Sequence, residues 1–146
     1  MILIKLAEVI MNKELWIKQW FFEVLAKVDS SQLQEMATDP FIFHMAGGRK
    51  YQVTHQEYLS FLAMWHQRFK NVQFQLTHIL SDDNKLMASY QCHATYHGGW
   101  LRIPGKNQAV HMTGMMLFKL ENGMMTECWM EDSNFDLYQQ LTHYLD

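Results

Sequence analysis

Cysteine is scarce in this sequence: Cys92 and Cys128 are the only two in 146 residues. They lie far apart and in no metal-ligand spacing, so two reduced, buried thiols are expected rather than a disulfide framework. A basic cluster is also missing. Lys and Arg number 12 against 15 Asp and Glu, a formal net charge of −3. Binding phosphate backbones needs a concentrated basic face, so nucleic acid is not expected as a partner. No apolar run is long enough for a membrane span. The apolar opening, residues 1–10, is too short and carries Lys5 and Glu8. It lacks the basic start and small-residue cleavage site of a signal peptide, which leaves a cytoplasmic location by default. Met11 is a second candidate start of translation, with residues 1–11 as an N-terminal extension. There is no Gly-rich phosphate loop, no Gly-x-Ser-x-Gly elbow and no Cys/His pair with an orienting acid.

What is present is apolar. Hydrophobic residues make up 49% of the chain and charged residues 18%, enough to build one core in one domain, residues 12–146. Methionine is abundant, at 12, and aromatic residues reach 14% with five Trp. Two readings follow: a core filled by large and flexible side chains, or a Met- and Trp-lined cavity that accepts an apolar ligand.

The apolar spacing predicts the elements. Asn12 to Val28 has helical spacing, with Asn12 as its cap. Ser31 with Gln34 fits a capping box for a short helix, Gln32 to Ala37, ended by Thr38-Asp39-Pro40. Phe41 to Met45 reads as a strand and Ala46-Gly47-Gly48-Arg49 as a loop. Thr54 with Glu57 is a second capping box, opening a helix to Phe69 with Tyr58, Leu62, Trp65 and Phe69 on one face. The period then changes to two. Val72 to Leu80 places Val72, Phe74, Leu76, His78 and Leu80 on one face. Lys85 to His97, Gln108 to Leu120 and Met124 to Glu131 are further strands, the last two joined by an Asn122-Gly123 hairpin. Ser133 with Asp136 opens a closing helix to about Leu145. Strands in a meander with helices gathered on one face are α+β architecture.

The second half resembles a known family. His93 to Gly105 (HATYHGGWLRIPG) looks like the strand and Gly-aromatic-Ile-Pro loop of SnoaL-like proteins. Leu117 to Gly123 is similar to their apolar strand and acidic-Gly hairpin. Thr126-Glu127-Cys128-Trp129 resembles their Glu-His-Trp strand, and Leu137-Tyr138-Gln139-Gln140-Leu141 their closing Leu-x-x-Gln-Leu helix. The resemblance implies a nuclear transport factor 2-like fold: a cone-shaped, curved antiparallel sheet wrapped around N-terminal helices. It also implies a pocket for a small apolar, carbonyl-bearing ligand, and a homodimer packed through the sheet. The best-known members are polyketide cyclases that close a ring by an aldol reaction; relatives include isomerases and non-catalytic binding domains. Fold alone does not choose among these.

Three family polar positions are replaced. The family's acid/base aspartate matches Met130, and a Gln and a His on the preceding strand match Gly114 and Met116. Thioether and glycine carry no titratable proton. Aldol-type chemistry still needs a base near the α-proton and a donor near the developing oxyanion. Asp132 shares the face of Met130 on an extended strand and is one candidate base; a bland role at the start of the last helix is the other reading. His44, after its short strand, is the second candidate, against a strand-end histidine bonded to backbone. Met112, Gly114, Met116 and Met130, with Trp16, Leu62 and Trp65 from the helices, make up the expected ligand wall. His93, His97 and His111 show no metal-ligand pattern. The expectation is therefore proton-transfer chemistry without cofactor or metal, or ligand binding alone.

Overall fold

The computed structural model describes residues 13–143. The expected N-terminal extension, the Asn12 cap and the end of the closing helix near Leu145 lie outside those residues. Helix α1 occupies residues 13–27, with a π-helical stretch over Trp20–Leu25. Its buried residues, Trp16, Ile17, Trp20, Phe21, Val24 and Leu25, form two adjacent rows, so the helix is clasped on a broad face. Helix α2 is Ser30–Met36. It starts earlier than the Ser31/Gln34 box predicted, because the Asp29 carboxylate takes the cap and accepts from the Ser31 and Gln32 amides at 3.0 and 3.1 Å.

Strand β1 runs Ala37–Met45, and β2, Arg49–Val53, pairs back antiparallel to it. β2 lies in what the sequence presents as loop and linker. It is the outermost strand of the sheet and almost wholly exposed, so it has no alternating apolar pattern to betray it. Gly47 and Gly48, at φ +87° and +80°, form its turn. Helix α3, His55–Arg68, carries the full Thr54/Glu57 capping box. It ends one residue short of the expected Phe69, which opens strand β3.

β3 (Phe69–Asp82), β4 (Lys85–Tyr96), β5 (Gln108–Glu121) and β6 (Met124–Asp132) form the meander. β3 does not keep one face throughout. The ladder with β4 shifts register between Leu76 and His78, and beyond it Ile79 turns inward while Leu80 is 62% exposed. One extra residue at a bulge inverts the alternation that the sequence suggested. Asn122 and Gly123, both at positive φ, make the β5–β6 hairpin.

The six strands lie in the order β2-β1-β6-β5-β4-β3, and helix α4 is Asn134–Thr142. Four pairings are antiparallel, and β1 joins β6 in parallel. This α+β fold is a curved, unclosed sheet packed on helices. Its core runs from Trp16, Trp20 and Phe118 at one end to Phe69 and Tyr96 at the other. No helix among the described residues is long and apolar enough to cross a membrane.

The closing segment is fixed by polar bonds where β6 stops. Ser133 does not cap α4 through its side chain. Its hydroxyl instead accepts from the Thr113 amide at 3.0 Å, and its own amide donates to the Thr113 carbonyl at 3.0 Å. The Gln140 side chain accepts from the His111 amide and donates to the His111 carbonyl. The exposed edge of β5 is thereby satisfied without a strand, and Leu137 and Leu141 are buried beneath.

Candidate functional site

Between α3 and the inner face of the sheet lies a cavity of about 280 Å³. Helix α3 contributes Tyr58, Leu62 and Trp65, which its 3.6-residue period stacks on one side. The sheet contributes Phe43, Met45, Met112 and Met130, and Trp100 arrives from the loop after β4. Among the described residues, Asp132 is the one carboxylate in the lining; the other charged side chains there are Arg49 and Arg68.

Asp132 comes from the last residue of β6, with Gly114 as its partner on β5, and Gly114 in turn faces Tyr90 on β4. Tyr90, Gly114 and Asp132 thus form one row across three strands. Asp132 Oδ1 is buried and has no hydrogen-bond partner among the described residues. Burial raises its pKa above the ordinary 3.8, while the Asn134 backbone amide pulls the other way. Burial also raises the Tyr90 hydroxyl, and the nearby Asp132 charge adds to that, so the phenol stays protonated. Cys92, also in the lining, is pushed up to about 12 by burial, which removes it as a thiolate nucleophile near neutral pH.

Trp100 is held in place by one residue. The Tyr96 hydroxyl accepts from the Trp100 amide at 3.0 Å and donates to the Ile103 carbonyl at 2.7 Å. Leu101 and Arg102 both have positive φ in this tight turn, at 50° and 62°, a conformation that costs energy in non-glycine residues. The phenol fixes the turn against that cost.

The sequence-derived site residues divide into two groups. Leu62, Trp65, Met112, Met130 and Asp132 line the one cavity. Trp16, Gly114, Met116 and His44 do not. Trp16 stacks on Trp20 and meets Phe118 edge-on in the core, and Met116 is 1% exposed there. Gly114 does permit a close approach, but by the Tyr90 phenol. His44 faces the outer side of the sheet, since its neighbours Phe43 and Met45 point inward. There it bonds Glu127 at 2.6 Å and stacks on Trp129 with ring centroids 4.7 Å apart. His93 and His111 also meet, at 4.6 Å, but no group of three potential metal ligands converges among the described residues. Tyr90, Arg49 and Arg68 were not singled out from sequence. The one available signal was Gly114, whose missing side chain marks space that a neighbour fills.

The sequence profile of SnoaL-like polyketide cyclases matches residues 16–141. The chain belongs to the SnoaL-like polyketide cyclase family. No curated protein matches it significantly. Solved structures of similar fold include a proposed SnoaL-like polyketide cyclase from Jannaschia sp. CCS1, 12% identical, with a TM-score of 0.79 over 90% of this chain and 92% of that one. A proposed polyketide cyclase from Acidithiobacillus ferrooxidans is 15% identical, with a TM-score of 0.80 over 90% and 94%. AclR from Streptomyces galilaeus, a proposed hydroxylase, is 12% identical, with a TM-score of 0.78 over 91% and 97%. At these identities the likeness establishes the fold alone, which is nuclear transport factor 2-like, and fold does not choose among chemistries. Within this SnoaL-like chain, Met130 lines the cavity, and Asp132 brings a carboxyl into it one inward position further along β6.

Proposed function

We propose that this SnoaL-like protein takes a small, largely apolar carbonyl compound into the cavity and moves a proton at the carbon beside that carbonyl, without a cofactor. The observation that carries this reading is Asp132: a carboxyl lining an otherwise mostly apolar cavity, with one oxygen unpartnered and its pKa raised by burial. A carboxylate poised above its usual range is a stronger base than a solvated one. In the proposed step, Asp132 takes the α-proton and the electron pair moves onto the carbonyl oxygen. The protonated Tyr90 hydroxyl donates a hydrogen bond to that developing oxyanion. The enolate then either takes the proton back from Asp132 at another carbon, or closes on a second carbonyl, whose new alkoxide takes that proton from Asp132.

The test is solvent deuterium incorporation into 2-tetralone, a simple apolar ketone. The wild-type protein should accelerate exchange, and Asp132→Asn should reduce that acceleration by about 10²-fold or more, the ordinary worth of a positioned base. Equal exchange by the two proteins would remove Asp132 from the mechanism.

A second reading is non-catalytic ligand binding. It is favoured by Met130 at the matched acid/base position and by the burial of Met116 in the core. On that reading the ketone binds but does not exchange.

Pairing of two copies through the sheet is part of the same proposal. Support comes from the outer face, where Trp129 lies opposite Leu117 and beside His44, and Met115 is 55% exposed.

A further inference from the structure

We infer that the cavity's ligand carries a carboxylate, which Arg49 and Arg68 bind; the inference rests on the proposal that this cavity receives a ligand at all. The charge of the cavity is opposite to that of the chain. Two of the three arginines in the sequence line it against a single carboxylate, while the whole chain has a formal charge of −3.

The two arginines come from separate elements. Arg49 opens β2 and pairs across the ladder with Met45, itself a lining residue. Arg68 is the last residue of α3. Since β2 leads directly into α3 and α3 folds back along the cavity, the start of one element and the end of the other border the same space.

Neither guanidinium has an ion-pair partner among the described residues. Among the described residues, the ion pairs are Lys18–Glu14, Lys27–Glu23, His44–Glu127, His55–Asp39 and Lys119–Glu121, and none includes Arg49 or Arg68. Among the described residues, the Arg68 guanidinium has only the Met64 thioether as a side-chain partner, at 3.6 Å, and sulfur is a weak acceptor. Its stem is nevertheless positioned. It lies against the loop that carries Trp100: a Cβ at Gly99 would be in ordinary contact with Arg68 Cγ, at 3.4 Å. The Arg68 carbonyl also accepts from the His97 amide at 2.7 Å, which ties the helix end to that loop. A planar guanidinium fork with free donors matches a carboxylate. With the apolar walls, this points to an organic acid with a hydrophobic body, and combined with the proposed chemistry, to an apolar keto acid.

Isothermal titration with 2-naphthylacetate and its methyl ester separates the claims, because the two probes share the apolar body and differ in charge. The acid should bind the wild-type protein at least tenfold more tightly than the ester. The R49Q/R68Q double variant should lose that preference while binding the ester within twofold of wild type. R49K/R68K, which keeps both charges, should retain part of it, and thermal melts establish that each variant is folded. Equal binding of acid and ester by wild type, or tighter binding of the ester, overturns the inference and leaves the cavity as a ligand site. A preference that survives in R49Q/R68Q overturns the assignment to these arginines. Binding of neither probe removes the ligand cavity itself and the inference with it.

Discussion

Gly114 lies beneath the phenol of Tyr90: a Cβ at that position would overlap the Tyr90 hydroxyl and stand 2.5 Å from its Cζ. The same Cβ would come within 2.8 Å of the Glu131 carbonyl oxygen, which is backbone and cannot rotate away. Gly114→Ala should therefore displace both the phenol and the β5–β6 ladder, at a cost of about 1–3 kcal/mol. A thermal melt should show the loss of stability, and 2-tetralone exchange should fall as well, because the displaced phenol no longer meets the oxyanion. Unchanged exchange with a lowered melting temperature would confine Gly114 to packing and remove Tyr90 as the donor.

Asp132 should cost stability at neutral pH. Its folded-state pKa is raised above the ordinary 3.8, so the unfolded chain gives up the proton first. The favourable protonated state is fully present below the ordinary carboxylate value, and its contribution is lost as pH rises through the raised one. Asp132→Asn should thus melt a few degrees above wild type at pH 8 and show a smaller advantage, or none, near pH 3. Denaturant unfolding at the two pH values measures the difference. An equal difference at both would mean that the carboxyl is solvated in the folded protein. A more stable and less active variant is the expected signature of a strained functional residue.

Tyr96→Phe removes a hydroxyl that engages the Trp100 amide and the Ile103 carbonyl. The loss should be about 1–2 kcal/mol, since a buried donor and acceptor are left without that partner. Hydrogen exchange should become faster at the Trp100 and Ile103 amides, and probe affinity should weaken as Trp100 leaves the cavity wall. Unchanged protection at Ile103 would show that the turn holds itself.

His44→Ala should leave ketone exchange within twofold of wild type, because the imidazole lies on the outer face with Glu127 and Trp129. On the proposed pairing through the sheet, Leu117→Glu, on the same face, should shift the sedimentation coefficient from that of a dimer to that of a monomer, and a wild-type protein that sediments as a monomer would contradict the pairing. A large fall in exchange on removing His44 would restore it as a candidate base and contradict the present assignment.

Much of the fold was legible because its signals are local. The Thr54/Glu57 box, the helical stripe of α3 and the alternation of β4, β5 and β6 each follow from one segment's own periodicity. β2 was not legible: an exposed edge strand has no buried face to pattern. The bulge after Leu76 was invisible for a related reason, since an inserted residue changes the facing of everything beyond it without changing composition. In the site, strand alternation placed Asp132 beside Met130 correctly. The same rule applied to β1 puts His44 opposite Phe43, but the inward side of a five-residue strand cannot be chosen until its neighbours are known. Tyr90, Arg49 and Arg68 depend on pairings between distant segments, and no spacing within the sequence announces them.

The most direct test is a carbon-13 NMR titration of the Asp132 side-chain carboxyl, assigned by comparison with Asp132→Asn and repeated with a bound apolar ketone. A carboxyl that serves as base inside the cavity should titrate above 3.8 and move further when ketone displaces water. An inflection at or below that value, unaltered by ketone, would place the group in solvent and contradict the account.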